Sequence, residues 1–247
     1  KDVGGGFGLK MMCFPEYIAV MHASKLLSRP VKWTATRSES FLSDAQGRDH
    51  VTDAYLALDE EGKFLGVKVQ TTASVGAYLS QYGIFIPTLA AAGMHVGVYN
   101  IPVMVNNVKV VYTNTVPIDA YRGAGRPEAS YVIERLVDQA ARDMSMGQIE
   151  IRKLNYVQPS DIGNTADPVI PFDSCDFDKT TNMTLLNSSF EDFEKRKKNS
   201  LEKNKLRGIG VSYYVERTQG EGSEDSRIIV SSDGKVNVYT GTMATGQ

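Results

Sequence analysis

Ten residues, Ala120-Tyr121-Arg122-Gly123-Ala124-Gly125-Arg126-Pro127-Glu128-Ala129, constrain this chain most, because they run a glycine-bearing loop straight into its most periodic helix. Gly123 and Gly125 lack a Cβ, so the loop can take backbone angles closed to other residues and let a ligand reach its amides. Pro127 suits a first helical turn, where a missing N–H costs nothing. From Ala129 onward, Val132, Ile133, Leu136, Val137, Ala140, Ala141 and Met144 keep the spacing of one buried face. The loop therefore stands on a rigid support. Arg122 and Arg126 project from it beside a helix N-terminus, a setting that favours a phosphate, a carboxylate or an oxo group. Taken alone, the stretch reads more simply as a helix cap with two solvated arginines; the rest of the chain tips the balance the other way.

With 247 residues, 42% hydrophobic and 23% charged, the chain has the length and composition for one large or two small globular domains. A net charge of -2 without a sustained basic run argues against a nucleic-acid surface. No apolar run reaches the ~18 residues of a membrane span, and the first residues are not a signal peptide. Cys13 and Cys175 fit no metal or redox spacing and read as buried or incidental thiols, so a reducing, cytoplasmic setting is expected. The chain opens on Lys1-Asp2-Val3 and closes on Thr245-Gly246-Gln247 as if in mid-motif, the expectation being a piece of a longer protein.

Along the chain, Val3 to Lys10 packs four glycines around Phe7, but without the spacing of a P-loop or a dinucleotide fold. A helix is expected from Pro15 to Leu27, with His22 on its surface. Val31 to Ala35 predicts a strand and Thr36 to Asp44 a short capped helix. The stretches 49–59 and 64–78 predict two strands around a hairpin turn at Asp59 to Lys63. Residues 84–99 should form a loop with some helix over the site, with His95 structural. Val103 to Thr113 predicts a strand that delivers the chain to Arg122, at the carboxyl end of a strand where ligands of mixed sheets bind. Ser145, with Gln148 three residues on, should cap a helix through Leu154. Residues 155–178 read as an extended crossing segment and 182–205 as one amphipathic helix with a wet face at Lys195-Arg196-Lys197-Lys198. Three antiparallel strands follow, over 209–216, 226–231 and 235–239. The fold class is α+β, a mixed α/β arrangement, divided into 1–157, a crossing segment with a helix at 158–206, and the start of a second unit at 207–247.

Three glycine-bearing strand ends, at 4–8, 122–126 and 241–247, carry phenylalanine, arginine and glutamine among them. Together with Arg29-Pro30-Val31-Lys32-Trp33 and Val111-Tyr112-Thr113-Asn114, they make the sequence resemble the molybdenum-binding large subunit of the xanthine oxidase / aldehyde oxidase family. The subgroup it looks most similar to is the carbon monoxide dehydrogenase-like large chains. The resemblance runs over essentially all 247 residues, in order. It implies that Phe7, with Gly5, Gly6 and Gly8, lies beside the molybdenum centre. It further implies that Arg122 lines the substrate side, with Gly123 and Ala124 along the cofactor, and that Gly246 and Gln247 hold its pterin and pyrophosphate part. Molybdenum in that family is held by the pterin dithiolene and not by side chains, so no protein metal ligand is expected. The cofactor implied is molybdopterin, in its cytosine dinucleotide form. The partners implied are an iron–sulfur [2Fe-2S] small subunit and a FAD-binding medium subunit in a dimer of heterotrimers, acting on a small molecule.

The sequence also departs from that pattern. The carbon monoxide enzymes carry a copper-binding cysteine after the matching arginine, where this chain has Gly123, which disfavours carbon monoxide. The xanthine-type enzymes place an acidic residue where this chain has Met11, which disfavours a purine. An aldehyde or an N-heterocycle remains. The family's general base lies beyond Gln247, so Glu128 and Glu216 are read as structural. A non-catalytic scaffold module for partner subunits is the rival from another class, and a nucleotide phosphate binder using Gly4 to Gly8 is a more distant one.

Overall fold

The computed structural model describes residues 4–162, 172–216, 225–241 and 246. Helix α1 (Pro15–Leu27) starts on a proline and buries none of its residues; His22 is exposed on it. Helix α2 (Arg37–Ser43) begins where expected, because Thr36 and Glu39 cap each other: the Glu39 N–H donates to Thr36 Oγ1 at 3.3 Å and the Thr36 N–H to Glu39 Oε2 at 2.7 Å. Residues 31–35 are not a strand. They join no ladder among the described residues, so β propensity there had no described neighbour to act on.

Strands β1 (His50–Leu58), β2 (Phe64–Ser74) and β3 (Met104–Val111) form one sheet in the order β1-β2-β3. The first pair is an antiparallel hairpin, whose turn is tied by Asp59 Oδ1 accepting from the Glu61 and Lys63 N–H groups at 3.1 and 2.7 Å. Strand β3 lies parallel to β2, which makes β2 central and brings β3 out at the same end. Inward residues of β2, among them Val67 and Val69, pack with Val96, Val98 and Tyr99 against Ile133, Val137, Ala140 and Ala141. Those last four lie on α3 (Arg126–Asp143), on the face its spacing marks out. Burying each such aliphatic side chain stabilises by about 1.5–3 kcal/mol, which is what holds the helix on the sheet.

Helix α4 (Gln148–Asn155) closes this unit: Asn155 Oδ1 accepts from Phe64 N–H at 2.8 Å and its amide donates to Gly62 O at 2.9 Å. Its cap differs from expectation. Ser145 takes a left-handed φ of 56° and does not cap; the helix starts after Gly147, whose N–H donates to Glu150 Oε2 at 3.1 Å. A single 3-10 turn, Pro159–Asp161, follows, and the crossing segment ends at α5 (Phe177–Asn187). The expected long helix is two: α5 stops, Ser189 turns left-handed at φ 50°, and α6 (Phe193–Leu201) begins anew. Asp167-Pro168 and Ile170-Pro171 lie outside the described residues.

Residues 209–216 belong to no strand. They pack along α3 and α4 instead, where Tyr213 joins Tyr156 (centroids 5.2 Å apart) and Phe177 in an aromatic cluster. The last unit therefore has two described strands, β4 (Ser226–Val230) and β5 (Val236–Thr240), paired antiparallel around the expected turn. The described residues thus mix helices with a three-stranded and a two-stranded sheet, the α+β class expected from sequence.

Candidate cofactor and substrate site

The approach to the arginine loop is set by Gly76. At φ 80°, a Cβ there would lie 2.3 Å from Val116 O, so only glycine lets 116–118 run against the end of β2. Ile118 N–H then donates to Val75 O at 3.2 Å. Asp119, 2% exposed, turns the chain: its Oδ2 accepts from Tyr82 N–H at 3.0 Å and its own N–H donates to Gln46 O at 2.8 Å. A tight turn follows, with the Ala124 N–H on Tyr121 O at 2.7 Å and left-handed φ values of 91° at both Gly123 and Gly125. Gly125 sits so close to 84–99 that a Cβ would be 2.6 Å from Ile86 O; that segment, which includes the helical turn Ile86–Ala90, does pack over the loop.

Phe7 is where the three glycine-bearing segments meet. The Arg122 N–H donates to Phe7 O at 2.9 Å, and the Arg122 guanidinium carbon stands 5.9 Å from the Phe7 ring centroid. Gly8, at φ 96°, is pressed against Ala120 O, with room for no side chain. Gly246 meets the other face of the cluster: a Cβ on it would lie 2.5 Å from Phe7 Cζ and 3.2 Å from Gly5 Cα. Gly5, Gly6, Phe7, Gly8, Arg122, Gly123, Ala124 and Gly246 are thus gathered in one place, while Gln247 lies outside the described residues. Beside them a small apolar cluster of Met12, Ile86 and Ala120, with Phe14, Tyr82 and Ala124 on its margin, offers a dry wall. Met11 is exposed at the edge of the Phe7 turn.

Arg126 lines the same groove as Arg122 but is held by other partners. Its Nη1 donates to Gly123 O at 3.4 Å and its Nε pairs with Glu216 Oε1 at 3.2 Å, which ties the start of α3 to the 211–216 segment. A groove of 710 Å³ runs between them, lined by Arg122, Gly123, Tyr131 and Tyr214 among others. Glu128 pairs with Arg48 at 3.8 Å. Two residues that sequence reasoning passed over therefore brace the loop, Asp119 and Arg48; each stands alone in sequence, and only the fold brings Arg48 within reach. Neither cysteine is buried, Cys13 being exposed and Cys175 half-buried.

The site is suited to an anionic, oxygen-rich ligand. The N–H groups of Phe7, Gly8 and Gly123 donate to no other described residue, and a guanidinium stands over Phe7. No cluster of three His, Cys, Asp or Glu side chains able to hold a metal occurs among the described residues.

Comparison with known proteins defines the class first. Quinoline 2-oxidoreductase from Pseudomonas putida 86 superposes with a TM-score of 0.89 at 31% identity, covering 99% of this chain and 33% of that one. Models of the molybdopterin cofactor-binding domain match residues 1–156 and 185–247. The chain belongs to that family, the molybdopterin-binding part of the xanthine oxidase group of molybdenum enzymes. It is 31% identical to the gamma subunit of the 6-hydroxypseudooxynicotine dehydrogenase complex of Paenarthrobacter nicotinovorans, over 100% of this chain and 32% of that subunit. It is 39% identical to the carbon monoxide dehydrogenase large chain of Hydrogenophaga pseudoflava, over 71% of this chain and 22% of that one. The chain thus spans about a third or less of these relatives, which are molybdenum-dependent oxidoreductases. No described helix is long and apolar enough to cross a membrane.

Proposed function

We propose that this chain is part of the catalytic large subunit of a cytoplasmic molybdenum hydroxylase that oxidises an N-heteroaromatic compound or an aldehyde. The convergence of Phe7, Arg122 and Gly246 carries this reading, because it joins the first and last glycine segments around one cationic side chain. The heteroaromatic alternative is favoured by the names of relatives: quinoline 2-oxidoreductase, and nicotine 6-hydroxylase of Paenarthrobacter nicotinovorans at 28% identity over 100% of this chain. Carbon monoxide is disfavoured, because Gly123 offers no thiolate and a Cβ there would lie 2.7 Å from Pro127 Cγ. Residues 1–157 and 207–247 would form two cofactor-binding units, with 158–206 crossing between them; the first family match ends at 156, beside the first boundary, whereas the second begins at 185, within the crossing segment.

The molybdopterin, as its cytosine dinucleotide, supplies when bound the metal that accepts two electrons and the water-derived oxygen given to the substrate. Everything else falls to the chain. The amides of Phe7 and Gly8 would donate to oxygen of the bound cofactor, Gly5 and Gly6 would let the backbone come close, and Gly123 and Ala124 would line the approach. Gly246 and Gln247 hold the pterin and pyrophosphate. The Arg122 guanidinium would hold negative charge that grows on the substrate side during hydroxylation. Electrons would leave to an iron–sulfur [2Fe-2S] subunit and a FAD subunit, in a dimer of heterotrimers; the words complex subunit and large chain in the relatives' names support partner subunits in general.

The test compares two arginines in the intact, molybdenum-loaded subunit. Arg122→Met keeps length and removes charge, and should lower kcat/KM by about 10²–10³ with molybdenum content near normal. Arg126→Met should instead lower thermal stability or cofactor retention, because its partners are Gly123 O and Glu216. A fully loaded Arg122→Met enzyme with unchanged kcat/KM removes the catalytic assignment from this loop.

A further inference from the structure

We infer that Arg48 is the positioning residue of the arginine loop: it fixes the plane of the Arg122–Gly123 peptide, and so aims the Gly123 N–H, beside the Arg122 guanidinium, at an oxygen of the bound cofactor or substrate. This rests on the function proposed above and adds a donor to that site.

The two bonds on the backbone of Arg122 make the case. Its N–H is taken by Phe7 O at 2.9 Å, and its carbonyl accepts a hydrogen bond from Arg48 Nη2. A trans peptide is planar, with C=O and N–H pointing opposite ways. Holding the Arg122 carbonyl on Arg48 therefore sends the Gly123 N–H away from Arg48, and that N–H donates to no described residue. The two sides of the loop are different places. Gly123 and Arg122 line the 710 Å³ groove along α3, whereas Arg48 and Tyr121 line a separate 590 Å³ cavity toward α2.

Arg48 is itself built in. Its backbone is left-handed at φ 61°, uncommon for a residue with a side chain, and the chain before it is locked by Gln46 N–H on Pro117 O at 2.9 Å and Asp119 N–H on Gln46 O at 2.8 Å. Gly47 lets this segment close on the loop, since a Cβ there would stand 3.1 Å from Tyr121 Cβ. The guanidinium then lies 5.1 Å from the Tyr121 ring centroid and 3.8 Å from Glu128 Oε1 while it donates to the carbonyl. A planar fork meets a ring, a carboxylate and a carbonyl at once; an ammonium cannot. Glu128 Oε2 is buried with no partner among the described residues, so Arg48 also balances that carboxylate. A merely structural role would consist of this balance alone, and the test must separate the two.

Four variants of the intact subunit do so: Arg48→Met, Arg48→Lys, Arg48→Met/Glu128→Gln, and Arg122→Met as reference. Arg48→Met should lower kcat about 10- to 100-fold, the scale of loss when a donor is misplaced, with KM changed less than about threefold. In the cofactor-free protein, its Arg122 amide should exchange at least about tenfold faster, because the bond to Phe7 O is no longer braced. Arg48→Lys should recover only part of kcat. The double variant removes the unbalanced carboxylate and should recover thermal stability but not kcat or amide protection. If it recovers all three, or if Arg48→Met keeps wild-type kcat and amide protection while Arg122→Met shows its loss, Arg48 does not position the loop. A silent Arg122→Met would instead overturn the parent reading.

Discussion

Strand β2 and the β4–β5 hairpin are written in the same alphabet of Val and Ile alternating with polar residues, yet they end up in opposite environments. Val67 and Val69 of β2 are 3% and 0% exposed; Val236 and Val238 of β5 are 58% and 60% exposed. The difference lies in what stands opposite each face. Strand β2 has two strand neighbours and the apolar stripe of α3 above it, whereas β4 and β5 have only each other among the described residues. Backbone pairing fixes register in both, but only the first has side-chain burial to add to it, and an isolated two-stranded hairpin is marginal in water. The site draws on both regions unequally: Phe7 and the arginine loop are wedged against the β2 unit, and Gly246 reaches them from beyond the hairpin.

The largest expected effect is in the better-packed region and tests whether its stability is polar as well as apolar. Arg152 is fully buried, with Nη2 on Glu134 Oε2 and on Asp138 Oδ1, both at 2.8 Å, and on Val211 O at 3.0 Å. Tyr99 OH donates to the other Glu134 oxygen at 2.5 Å. Burial opposes the charge on Arg152, but Tyr99 and Glu134 outweigh it and raise its pKa above the ordinary value. This network joins α3, α4 and the 211–216 segment, so Arg152→Met should strand two carboxylates and cost about 3–5 kcal/mol. Urea unfolding of wild type and variant checks it, and a loss under about 1 kcal/mol would show that the clamp holds nothing.

A smaller effect follows from acid. His95 is 4% exposed, its Nδ1 has no hydrogen-bond partner among the described residues, and burial, with His50 nearby, lowers its pKa to about 4. The unfolded chain titrates near 6.5 and takes up the proton first, so stability is intact above about pH 6.5 and falls as pH drops toward 4, by up to about 3 kcal/mol. Burial lowers His50 in the same direction, although Glu128 and Asp49 oppose it. His95→Leu should therefore flatten the slope of stability against pH between about 6.5 and 4.5 and do no harm at pH 7.5. Parallel slopes for variant and wild type would remove His95 as the source.

What could be read from sequence and what could not divides along the same line. The stripe Ala129 to Ala141 and the strands about Asp59 were legible, because the period of the pattern and the partner it needs are both local. Of the three glycine segments read as a set, the fold brings the first two together at Phe7 and sets Gly246 of the third against them, while residues 242–245 and 247 lie outside the described residues. Residues 31–35 and 209–216 were misread as strands because propensity was asked to stand in for a neighbour that the described residues do not supply. The split of α5 from α6 at Ser189 was missed because the apolar spacing continues across a residue whose backbone does not. Arg48 and Arg152 carried no local signal; their roles arise from partners 74 and 18 residues away.

The smallest effect is the sharpest test of the contrast. Val238 pairs with Ile228 across the hairpin, and both are more than half exposed. Val238→Thr keeps shape and β preference while making one face polar, so with water already on that face the change should fall within about 0.5 kcal/mol in the 247-residue chain. The same swap at Val69, which is completely buried, puts a hydroxyl into a mostly apolar core and should cost about 1–3 kcal/mol. Amide exchange should rank likewise, with 226–240 opening well before 133–141. If Val238→Thr proves as costly as Val69→Thr, the hairpin face is covered in solution. The difference in burial between the two regions would then be one of partner and not of packing.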